Sequence, residues 1–387
     1  MRVLYIATDV ELPSKKGSST HTLEVALGLQ ALGCRVHVLY RRPSRESKTK
    51  DHIQGIDLTR IYRGVIAPLG GKGAPSDAGS GGGTFVRWLY DLYLMLVHAP
   101  FSALQAVRIA REDSVDAIIE RGSSLGAGAL TAVVLGKPLV TEVIDYRHSR
   151  ISLKLSGIAI AYRRDILKVD LPPDRLEIVP AGANTGLFAP RRGESELIGY
   201  AGSFRPWHGV EDLIAAARIL KERRIGVRFL LVGPGNESAK ALARQSGVDD
   251  IMNFTGGLPY EELPEALGAC GILVAPFNPE KDPYMKIHGF IFSPLKIFEY
   301  MSLSKAVIAS DLAKIREVIS DEKTGLLVQP GDPEGLADAI ERLVSRRAES
   351  TRIGKRARRT IITLYSWDRL SKLILGALSR TMVEQGK

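Results

Sequence analysis

Short runs of Val, Ile and Leu alternate with stretches whose apolar positions recur at helical spacing along most of the chain. Val3–Ala7 precedes a helix expected from Thr20 to Leu32, and Arg35–Tyr40 returns as a strand. Ala117–Ile119, Leu139–Val143, Ile158–Ala161 and Glu177–Val179 continue the rhythm. A second series begins at Leu197–Ala201, followed by a helix over Val210–Lys221 and strands at Val227–Val232, Ile251–Phe254 and Ile272–Ala275. It ends with Leu295–Met301, Ala306–Ala309 and Gly325–Val328. Strand runs without polar alternation belong to sheets covered on both faces, which requires parallel strands joined by crossover helices. The pattern predicts an α/β protein of two units, each with its own parallel sheet. A length of 387 residues, at roughly 150 per domain, agrees.

The boundary is expected near Pro180–Gly193, where Pro180, Gly182, Gly186, Pro190 and Gly193 cluster beside Arg191 and Arg192. Pro68 to Gly83 is dominated by glycine and reads as a mobile surface loop. After it, Phe85, Trp88, Leu89, Leu92, Tyr93 and Leu96 recur at helical spacing. Two readings stay open there: a helix packed on its own domain, or an amphipathic face touching lipid with Arg87, His98, Arg108 and Arg111 near headgroups. Arg346, Arg347, Arg352, Lys355, Arg356, Arg358 and Arg359 form a basic cluster on an expected helix, read as a solvated face or a site for anionic lipid.

Composition narrows the classes. At 45% hydrophobic and 25% charged, the chain has enough apolar material to fold as an ordinary globular protein. Cys34 and Cys270, the only two cysteines, lie far apart and fit free thiols in a reducing compartment. No uninterrupted apolar stretch of about 20 residues exists, so a spanning helix is not expected. Met1–Ala7 reads as a buried strand rather than a leader. The expected location is the cytosol, with the cytosolic face of a membrane as its extension. The net charge of +10 favours anionic partners without choosing among nucleic acid, lipid phosphate and nucleotide.

The most informative segment is Ser293-Pro294-Leu295-Lys296-Ile297-Phe298-Glu299-Tyr300-Met301. Ser293 suits an N-cap and Pro294 the first helical position. Such a helix start points free N–H groups and partial positive charge forward. Lys296 adds a full charge where the dipole already repels cations, so an anion in front compensates it. Glu299, three residues on, lies on the same face and suits the hydroxyls of a ribose. A capped helix with an exposed Lys–Glu pair satisfies the spacing equally. A second segment, Gly199 to Leu213, reads as strand end, glycine-bearing loop and helix start. Arg205 and His208 in that loop offer donors to phosphate, and Gly233-Pro234-Gly235 closes a neighbouring strand on the same rim.

Both segments resemble glycosyltransferase family 4, whose members are retaining GT-B enzymes using nucleotide-sugar donors. Further marks are Gly17-Ser18-Ser19-Thr20-His21, Val179 to Phe188, Pro276-Phe277-Asn278, Gly325 to Val328 and Ser366-Trp367-Asp368. The resemblance covers nearly the whole chain. It implies two Rossmann-like domains facing a central cleft: residues 1–185 for the acceptor, completed by a C-terminal helix 366–387, and 186–365 for the donor. Glu299 is similar to the second glutamate of the family's Glu, seven residues, Glu motif. The first would fall at Ile291 and is absent, as in the family's Ser-Pro-Leu-Lys subset. The Arg and Lys that clamp the diphosphate would fall at Ser203 and His208, so Arg205, His208 and Lys296 are expected to share that charge.

The same resemblance places Gly202, Ser203, Gly233, Ser293, Pro294, Leu295 and Glu299 around the donor. Gly17 would offer an N–H to the leaving phosphate, and His21 would lie near the acceptor. Glu120-Arg121 and Glu142-Val143 close two strands; a mutual ion pair and a role for Arg121 or Glu142 on substrate hydroxyls are the two readings. Only Tyr146 to Ser156 separates the strand ending near Glu142 from the next, shorter than in the relatives. The chain shows no Asp-x-Asp, no zinc spacing and no Walker lysine motif. No metal or resident cofactor is expected; the nucleotide-sugar is a co-substrate. The expected activity is metal-independent sugar transfer to a lipid-linked or surface-glycan acceptor. The alternatives are a nucleotide-sugar 2-epimerase of the same architecture and a non-catalytic nucleotide-sugar-binding subunit.

Overall fold

A computed structural model describes residues 1–12, 17–41, 52–53, 55–61, 92–144, 148–167, 169–179, 181–290 and 295–386 of the 387. The glycine-rich 68–83 segment, the start of the helical spacing at Phe85, and Ile291, Ser293 and Pro294 lie outside the described residues. The chain divides into two compact units, Met1–Ala181 with Trp367–Lys387, and Gly182–Ser366.

The first unit holds β1 (Arg2–Glu11), α1 (Gly17–Ala31), β2 (Arg35–Arg41), β3 (His52–Ile53) and β4 (Ile56–Arg60). It continues with α2 (Ala99–Glu112), β5 (Ala117–Arg121), α3 (Ala127–Leu135), β6 (Leu139–Val143), α4 (Arg150–Leu155), β7 (Ile158–Ala161) and β8 (Leu176–Ile178). Its sheet runs β3-β4-β2-β1-β5-β6-β7-β8, parallel except for β3 against β4. Val3 through Ala7 of β1 are buried on both faces, as an unbroken apolar run requires. β3 and β4 escape the apolar-run reading because Ile56–Arg60 alternates buried with half-buried positions, the signature of a strand near an edge.

The second unit holds β9 (Glu194–Ala201), α5 (Val210–Glu222), β10 (Arg228–Val232), α6 (Glu237–Gln245), β11 (Met252–Gly256) and β12 (Cys270–Ala275). Then follow α7 (Leu295–Ser302), β13 (Ala306–Ser310), β14 (Leu326–Val328), α8 (Pro333–Ser345) and α9 (Arg347–Leu364). Its sheet is fully parallel, in the order β11-β10-β9-β12-β13-β14. The last helix, α10 (Trp367–Gln385), returns to the first unit and packs on α1 and β6. Both units are doubly wound and Rossmann-like: strand order reverses once, between β1 and β5 in the first and between β9 and β12 in the second.

The basic cluster on α9 is only partly a solvated face. Arg358 reaches back from α9 to the carbonyl oxygens of Thr185, Phe188 and Ser302. Ser302 ends α7, so this guanidinium caps the helix that carries Lys296 and Glu299 and complements its dipole. Arg347 pairs with Glu196, and Arg342 of α8 bonds Glu349 at 2.7 Å.

Candidate functional site

In an open parallel sheet, ligands collect beyond the carboxyl ends of the strands where the order reverses. In the second unit that place is formed by Ala201-Gly202-Ser203 after β9 and Pro276-Phe277 after β12. Helix α7 is pinned there by Tyr300, whose hydroxyl accepts from the Ala201 N–H at 2.6 Å and lies 3.2 Å from the Ala201 carbonyl oxygen. One turn earlier, Lys296 projects its ammonium over the ring of Tyr200, 4.5 Å from the centroid, and 5.0 Å from that of Phe277. Its Nζ donates to the Tyr200 phenol oxygen at 3.5 Å.

Burial pushes the Lys296 ammonium down to about 7, with the Glu299 carboxylate opposing that fall. Glu299 is half-buried on the same helix face. Two glycines make the approach possible. A Cβ on Gly202, whose φ is +150°, would stand 2.5 Å from Lys296 Nζ. A Cβ on Gly233, with φ +156°, would stand 1.8 Å from the Gly202 carbonyl oxygen. Any side chain at either place displaces the ammonium or the loop.

His208 is buried, and its Nδ1 faces the Ser203 carbonyl oxygen and, at 3.2 Å, the Ser203 hydroxyl. Burial, then the charges of Lys296 and Arg205, hold its imidazole down at about 3. It is therefore neutral near pH 7, with Nδ1–H donated to Ser203, and the standing positive charge rests on Lys296 and Arg205. Arg205 is exposed at the rim of the loop. Sequence reasoning missed the aromatic wall: Trp207 stacks on Phe277 with centroids 6.0 Å apart, and Phe290 closes on Phe277 at 4.8 Å. No periodicity signals it, since the rings come from three separate loops. Asn278, beyond the wall, donates to Asp212 at 2.9 Å and ties the β12 loop to the start of α5.

The first unit places Gly17 at the exposed start of α1 and His21 one turn in, buried. His21 Nε2 lies 3.2 Å from Glu142 Oε1, and its Nδ1 lies 2.7 Å from the Tyr162 hydroxyl. With the carboxylate ionised, Nε2 carries the hydrogen that Glu142 accepts, and Nδ1 shares its hydrogen bond with the Tyr162 hydroxyl. Tyr5 donates to the other carboxylate oxygen. Burial raises the Glu142 carboxyl, but His21, Tyr5 and Arg121 outweigh it and hold it below the usual carboxylate range. The His21 ring also stands edge-on to Trp367, 5.2 Å between centroids, which ties the first helix to α10.

Glu120 and Glu142 do not share one environment. Alternation along β5 and β6 sends Arg121 and Glu142, which are in register, toward α1 and sends Glu120 to the opposite face. There Glu120 accepts from the Gly126 and Ala129 N–H groups at 2.6 and 3.0 Å, at the start of α3. Burial raises its carboxyl to about 7 against those bonds. Arg121 Nε stands 3.7 Å from Asp9, so the ion pairs of these strand ends are with other partners rather than only with each other. The short link after β6 contains α4, capped by Ser149, which accepts from the Ser152 N–H at 3.3 Å. Among the described residues no group of three or more His, Cys, Asp or Glu is gathered for a metal ion. No described helix is long and apolar enough to cross a membrane.

The profile of the family described as Glycosyl transferases group 1 matches residues 195–346. The chain is 29% identical over 241 residues to an MMP α-(1→4)-mannosyltransferase of Mycolicibacterium hassiacum, covering 60% of this chain and 56% of that protein. It is 26% identical over 250 residues to a GDP-mannose-dependent α-(1-6)-phosphatidylinositol monomannoside mannosyltransferase of Mycobacterium tuberculosis, covering 61% and 60%. The matches thus span little more than half the length of these curated relatives. Among solved structures, sucrose-phosphate synthase from Thermosynechococcus elongatus superposes with a TM-score of 0.71 over 99% of both chains at 18% identity, a likeness of fold.

Proposed function

We propose that this chain is a glycosyltransferase of GT-B architecture and family 4 type. It binds a nucleoside-diphosphate sugar in its second unit and transfers the sugar, with retention and without a metal ion, to an acceptor hydroxyl. The acceptor is lipid-linked or part of a surface glycan, and the protein works on the cytosolic side. The observation that carries the reading is Lys296: a cation whose charge is held down by burial, set at the strand-order reversal beside two glycines. Such a group gains from an anion what its surroundings withhold.

In this proposal Lys296 and Arg205 neutralise the diphosphate. The first turn of α7, from Leu295, supplies N–H groups. Gly202, Ser203 and Gly233 give the backbone room, and Glu299 accepts from the ribose hydroxyls. His208 offers a neutral ring whose orientation Ser203 fixes. The bond from the anomeric carbon to diphosphate breaks, the acceptor oxygen bonds on the same face, and a phosphate oxygen takes its proton. In the first unit, Gly17 offers an N–H to phosphate, Arg121 and Glu142 serve the acceptor side, and His21 acts as a positioning residue for Glu142. The mannosyltransferase relatives make GDP-mannose the first donor to try.

Titration calorimetry with UDP, GDP and ADP tests the reading. A bound diphosphate raises the Lys296 value above about 7, so binding just above neutrality takes up a proton. Affinity is highest below pH 7 and falls as pH rises through the bound value. Failure of every diphosphate to bind overturns it; binding with no proton uptake takes Lys296 out of the diphosphate contact. Binding without turnover of any sugar supports the subunit alternative instead, and 2-epimer formation without an acceptor the epimerase.

Glu299→Gln is expected to weaken nucleoside diphosphate binding about 10- to 100-fold, the worth of charged hydrogen bonds of ~1.5–3 kcal/mol. Inorganic pyrophosphate, which has no ribose, binds the variant normally when measured below neutrality, where Lys296 is charged in both proteins. Equal losses for both ligands remove Glu299 from the ribose.

A further inference from the structure

The direction of each crossover fixes where the helices of the first unit lie. The steps β4 to β5, β5 to β6 and β6 to β7 all run the same way along the sheet, so right-handed connections place α2, α3 and α4 on one face. The step β1 to β2 runs the other way and places α1 on the opposite face, where α10 packs on it. Helix α2 packs on α3, and α3 on α4, making one continuous layer.

The outer side of that layer is apolar and open. Phe101 is 55% exposed, Leu104 69%, Val133 63%, Val134 61%, Ile151 56% and Leu155 45%. Nine of the fourteen exposed large apolar side chains among the described residues belong to this layer and the turn leading into it. Single exposed apolar residues scattered over a surface need no explanation, whereas this concentration on one layer does.

Charge selects the occupant. Within these three helices Arg108, Arg111, Arg150 and Lys154 are exposed, against one carboxylate, Glu112, which already bonds Arg108 at 2.7 Å. A second copy docked by two-fold symmetry would bring the same cations to the same contact, where they repel. A surface of opposite charge faces no such penalty. We propose that the α2–α3–α4 face docks on a membrane containing anionic lipid. Its apolar side chains enter the acyl boundary, and Arg108, Arg111, Arg150 and Lys154 meet headgroup phosphates. The proposal is independent of the transfer chemistry and is read without turnover.

Flotation of the full chain with phosphatidylcholine vesicles, with and without phosphatidylglycerol, tests it. The expected result is co-flotation with the anionic vesicles only, weakened by high salt. Leu104→Asp combined with Val133→Asp cuts the bound fraction roughly tenfold while nucleoside diphosphate affinity stays normal. Arg150→Glu combined with Lys154→Glu weakens binding specifically to the anionic vesicles. Absence of flotation, or equal flotation of parent and variants, overturns the proposal. So does a parent dimer that the Asp variant splits while vesicles remain unbound, which assigns the face to a second copy. A variant that melts lower with unchanged vesicle binding assigns the face to another part of this chain and equally overturns it.

Discussion

Lys296→Met is expected to lower nucleotide-sugar turnover by about 10²–10³-fold while the melting temperature stays level or rises. The first half follows from removing a preorganised charge that would face a diphosphate in a partly dry site, an effect of that order in enzymes where one such donor is deleted. The second half follows from burial. The free ammonium is pushed from an ordinary lysine value down to about 7, so the folded state resists its protonation. Between pH 7 and the ordinary lysine range the unfolded chain holds more protons, so in the parent stability rises with pH across that window. Met keeps a stem of similar length against the rings of Tyr200 and Phe277 and carries no charge to desolvate. The variant therefore loses the pH dependence together with the activity. Steady-state kinetics and thermal melts on either side of neutrality measure both halves. Normal kinetics would take Lys296 out of the diphosphate contact; a lower melting temperature would give it a structural role.

Glu142→Ala is the substitution expected to cost most stability, about 3–5 kcal/mol, because it breaks a buried charged network by removing one partner. The carboxylate is enclosed with Tyr5 and His21, and His21 in turn bonds Tyr162. Without it, a buried phenol and an imidazole lose their acceptor at once. Glu142→Gln keeps an acceptor oxygen and loses less, about 1–3 kcal/mol. The pH dependence separates charge from shape. Since the folded carboxyl is held below its ordinary value, its contribution is present above the usual carboxylate range and disappears as pH falls through the folded value. The gap between parent and Gln melts is therefore wide at neutral pH and closes in acid. A gap that persists unchanged into acid would mean that packing, not the charge, holds this site.

Much of the architecture is legible in the chain because of how parallel sheets are buried. Val3–Ala7, Leu139–Val143 and Ile272–Ala275 read as strands since a surface covered on both sides tolerates no polar alternation. The strand Ile56–Arg60, second from the sheet edge, was not legible for the converse reason: only alternate positions are buried, and its short alternating pattern resembles a loop. Helix α7 reads from its sequence because the apolar and charged positions along it are set by local geometry.

By itself, then, the sequence determined two parallel α/β sheets, the helix bearing Lys296 and Glu299, and glycines at Gly202 and Gly233. These are local consequences of periodicity and of backbone that only glycine tolerates. Tertiary structure alone decided the electrical state of the site. Glu120 and Glu142 close adjacent strands, yet one caps α3 and the other binds His21, because pleat and register send them to opposite faces. Lys296 sits near the edge of ionisation and His208 is neutral because residues far away in the chain exclude water from them. Desolvation depends on everything packed around a group, and no window of sequence contains its neighbours.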